Sequence, residues 1–175
     1  MCESPFRLAD MEAAREAADR LFAETSESLR RVLPETAEIH HVGATAVPGC
    51  VTKGDLDIVV RVRLPDFAAA DRVLSARYAR NSGSIRTETF SAFEKPDASP
   101  ALGIQLTAIG GEHDFFHLFV SRLLADPQLV SRYNALKRRF EGKPMEDYRA
   151  AKSDFIGQVL KASGDGGDPA KRGDS

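Results

Sequence analysis

The chain has 175 residues, 42% of them hydrophobic and 29% charged, which suits one globular domain with a core of its own. A formal net charge of -2 leaves no bulk excess of Lys and Arg to offset phosphates, which argues against a broad nucleic-acid footprint and leaves room only for a local basic patch. Cys2 and Cys50 cannot build a disulfide framework, no apolar run approaches the ~20 residues of a membrane span, and no signal-peptide core is present, so a soluble cytoplasmic protein is expected.

In chain order, apolar residues recur from Leu8 to Leu33 at i, i+3 and i+4, predicting an amphipathic helix that Pro34 ends. Glu38 to Val42 is a short strand leading into a glycine loop, and residues 55–63 form a second strand. Asp66 is expected to cap a helix whose face carries Phe67, Ala70, Leu74 and Tyr78. Next come a turn at 81–84, a strand from Thr87 to Phe93, a loop at 95–100 and a half-buried strand from Gly103 to Ile109. Helical spacing begins at Phe115, restarts at Asp126-Pro127, and resumes from Pro144 to Ala162. Residues 1–163 therefore read as a single domain, and the Gly/Asp/Lys-rich residues 164–175 as a disordered tail.

Chemistry concentrates between His41 and Arg61. Leu56, Ile58, Val60 and Val62 alternate with Asp55, Asp57, Val59 and Arg61, so a period-2 strand buries the first set and turns both carboxylates to the other face. Two strand residues separate the acids by roughly 6.5–7 Å between Cα atoms, close enough to converge on a hard cation such as Mg²⁺, with Mn²⁺ as the alternative. Upstream, Gly43, Ala44 and Gly49 keep the loop slim enough for backbone N–H groups to approach an anion. Without that loop the acids would read as the solvent-facing end of a strand; with it they read as a metal site for phosphoryl or nucleotidyl transfer.

A Gly with a small residue, a spacer and Asp-x-Asp in a hydrophobic strand resembles the signature of the polymerase-beta-like nucleotidyltransferase superfamily. Within it, the run from His41 to Gly49 followed by Lys53 is similar to the His-x-Gly-Ser-Thr-x-Val-Pro-Gly segment of the GrpB-like family. The resemblance extends through Phe119 to Leu124 and the helices carrying Pro127, Tyr133, Lys137, Tyr148, Lys152 and Phe155. It implies an α+β fold: a nucleotidyltransferase-like mixed β-sheet with flanking helices and a C-terminal helical segment. A cleft would lie between the loop-strand unit and those helices. Some relatives are fused to an enzyme of coenzyme A synthesis, which points to a nucleotide or nucleotide-like small molecule as the partner.

Five positions depart from the family pattern. Ala44 stands where the family usually has Ser, removing a hydroxyl that Thr45 partly replaces. Many relatives have an apolar residue at Asp55, so the carboxylate pair is more complete here. The superfamily's third acidic position falls on Gln105, an amide that cannot act as a base near pH 7, and Glu88, Glu94, Glu112 and His117 are alternatives that sequence cannot place. The family's Arg-Asp after the phenylalanine is Val120-Ser121.

The implied catalytic set is Asp55, Asp57 and Gln105, with Asp55 and Asp57 as metal ligands. The implied substrate contacts are His41, Gly43, Ala44, Thr45, Lys53, Tyr133, Lys137, Tyr148 and Lys152. Tyr133/Lys137 and Tyr148/Lys152 each sit at i, i+4, which suits either a cleft lining or tyrosines packed in the core with lysines snorkelling to water. The expected function is Mg²⁺-dependent transfer of a nucleoside monophosphate from a triphosphate to a hydroxyl acceptor. The alternative is a catalytically silent nucleotide- or phosphate-ligand-binding module of the same fold.

Overall fold

The computed structural model describes residues 5–162; Cys2 and the expected tail at 164–175 lie outside them. In chain order the elements are α1 (Met11–Arg30), β1 (Glu38–Val42), β2 (Leu56–Val62), α2 (Phe67–Ser75), β3 (Ala79–Arg80), β4 (Phe90–Lys95), β5 (Leu102–Ala108), α3 (Phe116–Ala125), α4 (Pro127–Phe140) and α5 (Met145–Ala162). The strands form one mixed sheet in the order β1-β2-β5-β4-β3, with β2 and β5 parallel and every other pair antiparallel. Together with the helices this is the expected α+β architecture.

Caps decide where the helices start. Apolar spacing begins at Leu8, but α1 starts after Asp10, whose carboxylate accepts the Ala13 N–H at 2.9 Å. Ala9 instead donates its N–H to the Thr52 carbonyl at 2.8 Å, tying the N-terminal segment to the glycine loop. Asp66 does not cap α2: Leu64–Asp66 forms a tighter 3₁₀ turn, and the Asp66 carboxylate pairs with Arg63 at 2.8 Å. Asp126 does cap α4, accepting from the N–H groups of Gln128 and Leu129, while Pro127 fills a position that needs no donor.

The middle of the chain departs most from its sequence pattern. β3 was not foreseen, and β4 starts at Phe90 rather than Thr87. The Thr87 hydroxyl captures the Thr89 N–H at 3.2 Å, and the Thr87 N–H reaches the Phe90 carbonyl at 2.8 Å, closing a turn there.

Each face of the sheet carries its own core. Leu56, Ile58, Val60 and Val62 of β2 and Leu102, Ile104 and Leu106 of β5 pack against Ala18 and Leu29 of α1 and Phe67, Ala70 and Leu74 of α2. On the other face, Val42 and Val59 pack against Phe119, Val130, Tyr133 and Phe155 of α3 to α5. The alternation read in β2 thus holds, except that Val59 is as buried as its neighbours because helices cover that face as well. Asp57 shares Val59's face one step nearer the strand's start, where the helical layer gives way to a cleft.

Candidate functional site

The cleft has a volume of about 290 Å³ and is bounded by the glycine loop, the start of β2, strands β4 and β5, and helices α4 and α5. Gly43 enters the loop with φ +76°, which an L side chain rarely adopts, and a 3₁₀ turn follows at Ala44–Ala46. As the first residues of that turn, Ala44 and Thr45 have no partner within it for their N–H groups, and Ala44 lines the cleft.

His41 and Thr45 lie behind the loop rather than among the cleft-lining residues. The Thr45 side chain, 1% exposed, donates its hydroxyl to the Asp55 carbonyl at 3.2 Å and meets His41 Nε2 at 2.8 Å. His41 Nδ1 sits 3.4 Å from Asp19 of α1, and the ring stacks on Phe22, so its partners are on the α1 face of the sheet. Burial lowers its pKa, opposed by Asp19 and Asp57. The chain Asp19, His41, Thr45, Asp55 therefore anchors the loop and the backbone of the first carboxylate.

Asp55 and Asp57 both line the cleft. Asp55 Oδ2 is 2.8 Å from Lys53 Nζ in a partly exposed pair. Asp57 is wedged between two glycines: a Cβ on Gly43 would stand 2.6 Å from its Oδ2, and one on Gly103 of β5 would stand 3.0 Å from its Oδ1. Removal from solvent raises the Asp57 pKa, opposed first by Lys152 and reinforced by Asp55. A carboxylate held in this way beside a second one favours an added cation. Two carboxylates with space in front of them fit Mg²⁺, which keeps most of its positions for water and phosphate oxygens. Among the described residues no group of three or more His, Cys, Asp or Glu forms a closed metal cage.

The two tyrosine-lysine pairs meet in the helical wall, where the Tyr133 and Tyr148 hydroxyls stand 3.4 Å apart. Tyr133 and Tyr148 are both buried: Tyr133 stacks on Phe155 at 5.2 Å, Phe119 meets it edge-on, and Phe6 stacks on Tyr148 at 4.2 Å. They line the cleft while their rings serve the core. Lys137 does not snorkel; it is 2% exposed, donates to the Val51 carbonyl at 2.6 Å and lies 4.2 Å over the Tyr133 ring. Burial depresses its pKa to about 8. Lys152 is only half-buried and is the cation acting most strongly on Asp57.

On the strand side, Gln105 lines the cleft, is 8% exposed, and has no hydrogen-bond partner at Oε1. In the parallel β2-β5 register it stands beside Val59, whereas Gly103 stands beside Asp57. Of the four alternatives for the third acid, Glu94 of β4 lines the cleft, because it pairs across β5 with Gly103. His117 lies near the other end of β2, with Asp114 and Arg61. Sequence reasoning left Glu94 unplaced and gave Phe6 no role; the contiguous sequence carries no signal for either, since one depends on strand register and the other on a long-range stack.

Comparison with known proteins places this geometry in a family. A UPF0157 protein of Vibrio cholerae is 35% identical over 143 residues, covering 81% of this chain and 75% of that protein. A UPF0157 protein of Streptomyces coelicolor is 29% identical over 154 residues, covering 83% and 81%. The crystal structure of the conserved protein GrpB from Enterococcus faecalis aligns with a TM-score of 0.67 at 18% identity, over 84% of this chain and 94% of that one, which shows a shared fold. A Cid1 poly(U) polymerase bound to MgATP aligns at a TM-score of 0.49 and 10% identity, over 74% of this chain and 41% of its own, too weakly to carry an argument. The model of the GrpB protein family matches residues 10–162, and the chain belongs to that family.

Proposed function

We propose that the cleft binds a nucleoside triphosphate together with a divalent cation and transfers the nucleoside monophosphate to a hydroxyl acceptor. The observation that carries this reading is Asp57, a carboxylate wedged between Gly43 and Gly103 beside Asp55, with Lys152 and the loop turn around the same space.

Asp55 and Asp57 would hold Mg²⁺, or Mn²⁺ in its place, and the bound ion would supply charge neutralisation at the phosphate oxygens. The chain's own groups do the positioning. The loop from Gly43 to Thr45 presents backbone N–H groups to the β- and γ-phosphates, and Lys152 offsets their charge at the cleft wall. His41 and Thr45 hold that loop in place, and Lys137 and Asn134 fix its far side through the Val51 carbonyl and N–H. The acceptor hydroxyl oxygen attacks the α-phosphorus and releases its proton to solvent water, the bond to the bridging oxygen of the β-phosphate breaks, and pyrophosphate leaves with the electron pair.

A second reading, a module that binds the nucleotide without turnover, is favoured by Ala44 and by the neutral amide of Gln105. Pyrophosphate release from the four ribonucleoside triphosphates with Mg²⁺ or Mn²⁺ and a panel of hydroxyl acceptors separates the two. Transfer predicts release that falls at least about a hundredfold in Asp57→Asn; nucleotide binding with no release for any acceptor leaves the silent module.

A further inference from the structure

The two walls of the cleft differ in charge. Lys53, Lys137, Arg149 and Lys152 come from the loop and the helices, whereas the lining supplied by β4 and β5 carries one charge, the carboxylate of Glu94. Glu94 and Asp57 each pair with Gly103, so the three stand in one row across the sheet on the same face. The outer two are separated by roughly 10 Å between Cα atoms, with no side chain between them. Among the described residues no hydrogen bond or ion pair engages the Glu94 carboxylate. Gln105, more than nine-tenths buried, lines the same space with its Nε2 on the strip side, 3.6 Å from where a Cβ on Gly103 would stand. An amide N–H facing a cleft is satisfied by a ligand oxygen.

We propose that the glycine-floored strip between Asp57 and Glu94 is the acceptor subsite and takes a small hydroxyl compound bearing an ammonium group. This rests on the nucleotidyl-transfer reading for the orientation of the cleft, with phosphates toward the cationic helix wall and the acceptor toward β4 and β5. All the charge on the strand wall is negative, from the Glu94 carboxylate and the nearer edge of Asp57, with the Gln105 Nε2 as a neutral donor beside them. An ammonium group there makes charge-assisted hydrogen bonds to Glu94, and a neighbouring hydroxyl oxygen accepts from the Gln105 Nε2–H. A phosphate-bearing acceptor such as a nucleic-acid end meets like charge on that side.

Matched probes test this: glucosamine against glucose, and ethanolamine against ethylene glycol. Binding to the full chain is measured by calorimetry with and without Mg²⁺ and a non-hydrolysable α,β-methylene ATP. The amine of a pair should bind at least about tenfold more tightly than its neutral counterpart. Glu94→Gln should reduce that preference below about twofold, and the charge-keeping Glu94→Asp should retain part of it. Equal binding of both partners, no binding of either amine, or a preference surviving in Glu94→Gln overturns the subsite. Failure of the ATP analogue to bind overturns the nucleotide reading instead, and the amine preference measured without nucleotide stands or falls separately.

Discussion

Gly43 and Gly49 have the same backbone angle, φ +76°, but different surroundings. A Cβ at Gly49 meets nothing within 4 Å, whereas one at Gly43 would lie 2.6 Å from Asp57 Oδ2. Both Gly→Ala changes therefore cost the left-handed strain, of order 1 kcal/mol or more, and only Gly43→Ala displaces the carboxylate. Melting curves should show both variants destabilised, with Mg²⁺-ATP stabilisation lost in Gly43→Ala and kept in Gly49→Ala; equal ligand responses would detach Gly43 from the site. The sequence made the need for slim residues here readable, because two glycines and an alanine precede a pair of acids. Which acid Gly43 touches was not readable, since the β1-β2 pairing decides it.

At the scale of elements, Asp71 of α2 does for the sheet edge what Asp57 does for the cleft. Its carboxylate accepts from Arg80 of β3 at 2.7 and 3.0 Å, from Ser91 of β4 at 2.6 Å, and from Arg86 between those strands at 3.1 Å. The Arg80 bonds, opposed by burial and reinforced by Ser91 and Arg86, pull its pKa from 3.8 down to about 2. A depressed carboxyl stabilises the fold above its unfolded pKa and loses that contribution as the pH falls through the folded value. With the arginines partly exposed, the effect is about 1–2 kcal/mol. Asp71→Asn should thus be less stable than wild type at neutral pH, the gap narrowing as the pH falls from about 4 to about 2. A gap that stays constant across that range would show that the ion pairs contribute nothing. This junction was hidden in the sequence because β3 is two residues long, too short for any periodicity, and its partner on α2 is a single acid. Long amphipathic helices and the β2 alternation were readable because each repeats its period several times. His41 looked like a cleft residue beside the loop, yet the period of two turns it toward α1.

Across the whole molecule, a net charge of -2 conceals a local division, with cations on the loop and helix side of the cleft and the Glu94 carboxylate on the strand side. The helices that supply the cations are pinned by the N-terminal segment: the Phe6 N–H reaches the Lys143 carbonyl at 3.0 Å, the Gly142 N–H reaches the Phe6 carbonyl at 2.7 Å, and the Phe6 ring stacks on Tyr148. Among the described residues no helix is long and apolar enough to cross a membrane. Everything in this arrangement converges on Asp55 and Asp57, so the most direct test is the melting of the wild type and of Asp55→Asn/Asp57→Asn with each ribonucleoside triphosphate, with and without Mg²⁺. Ligand at a hundredfold its Kd adds roughly 2.7 kcal/mol, which for a chain of this size raises the melting temperature by about 5–10 °C. That rise is expected in the wild type with Mg²⁺ and a triphosphate, and not in the double variant. An equal rise in both proteins, or none with any triphosphate, would contradict a divalent nucleotide site at these two carboxylates.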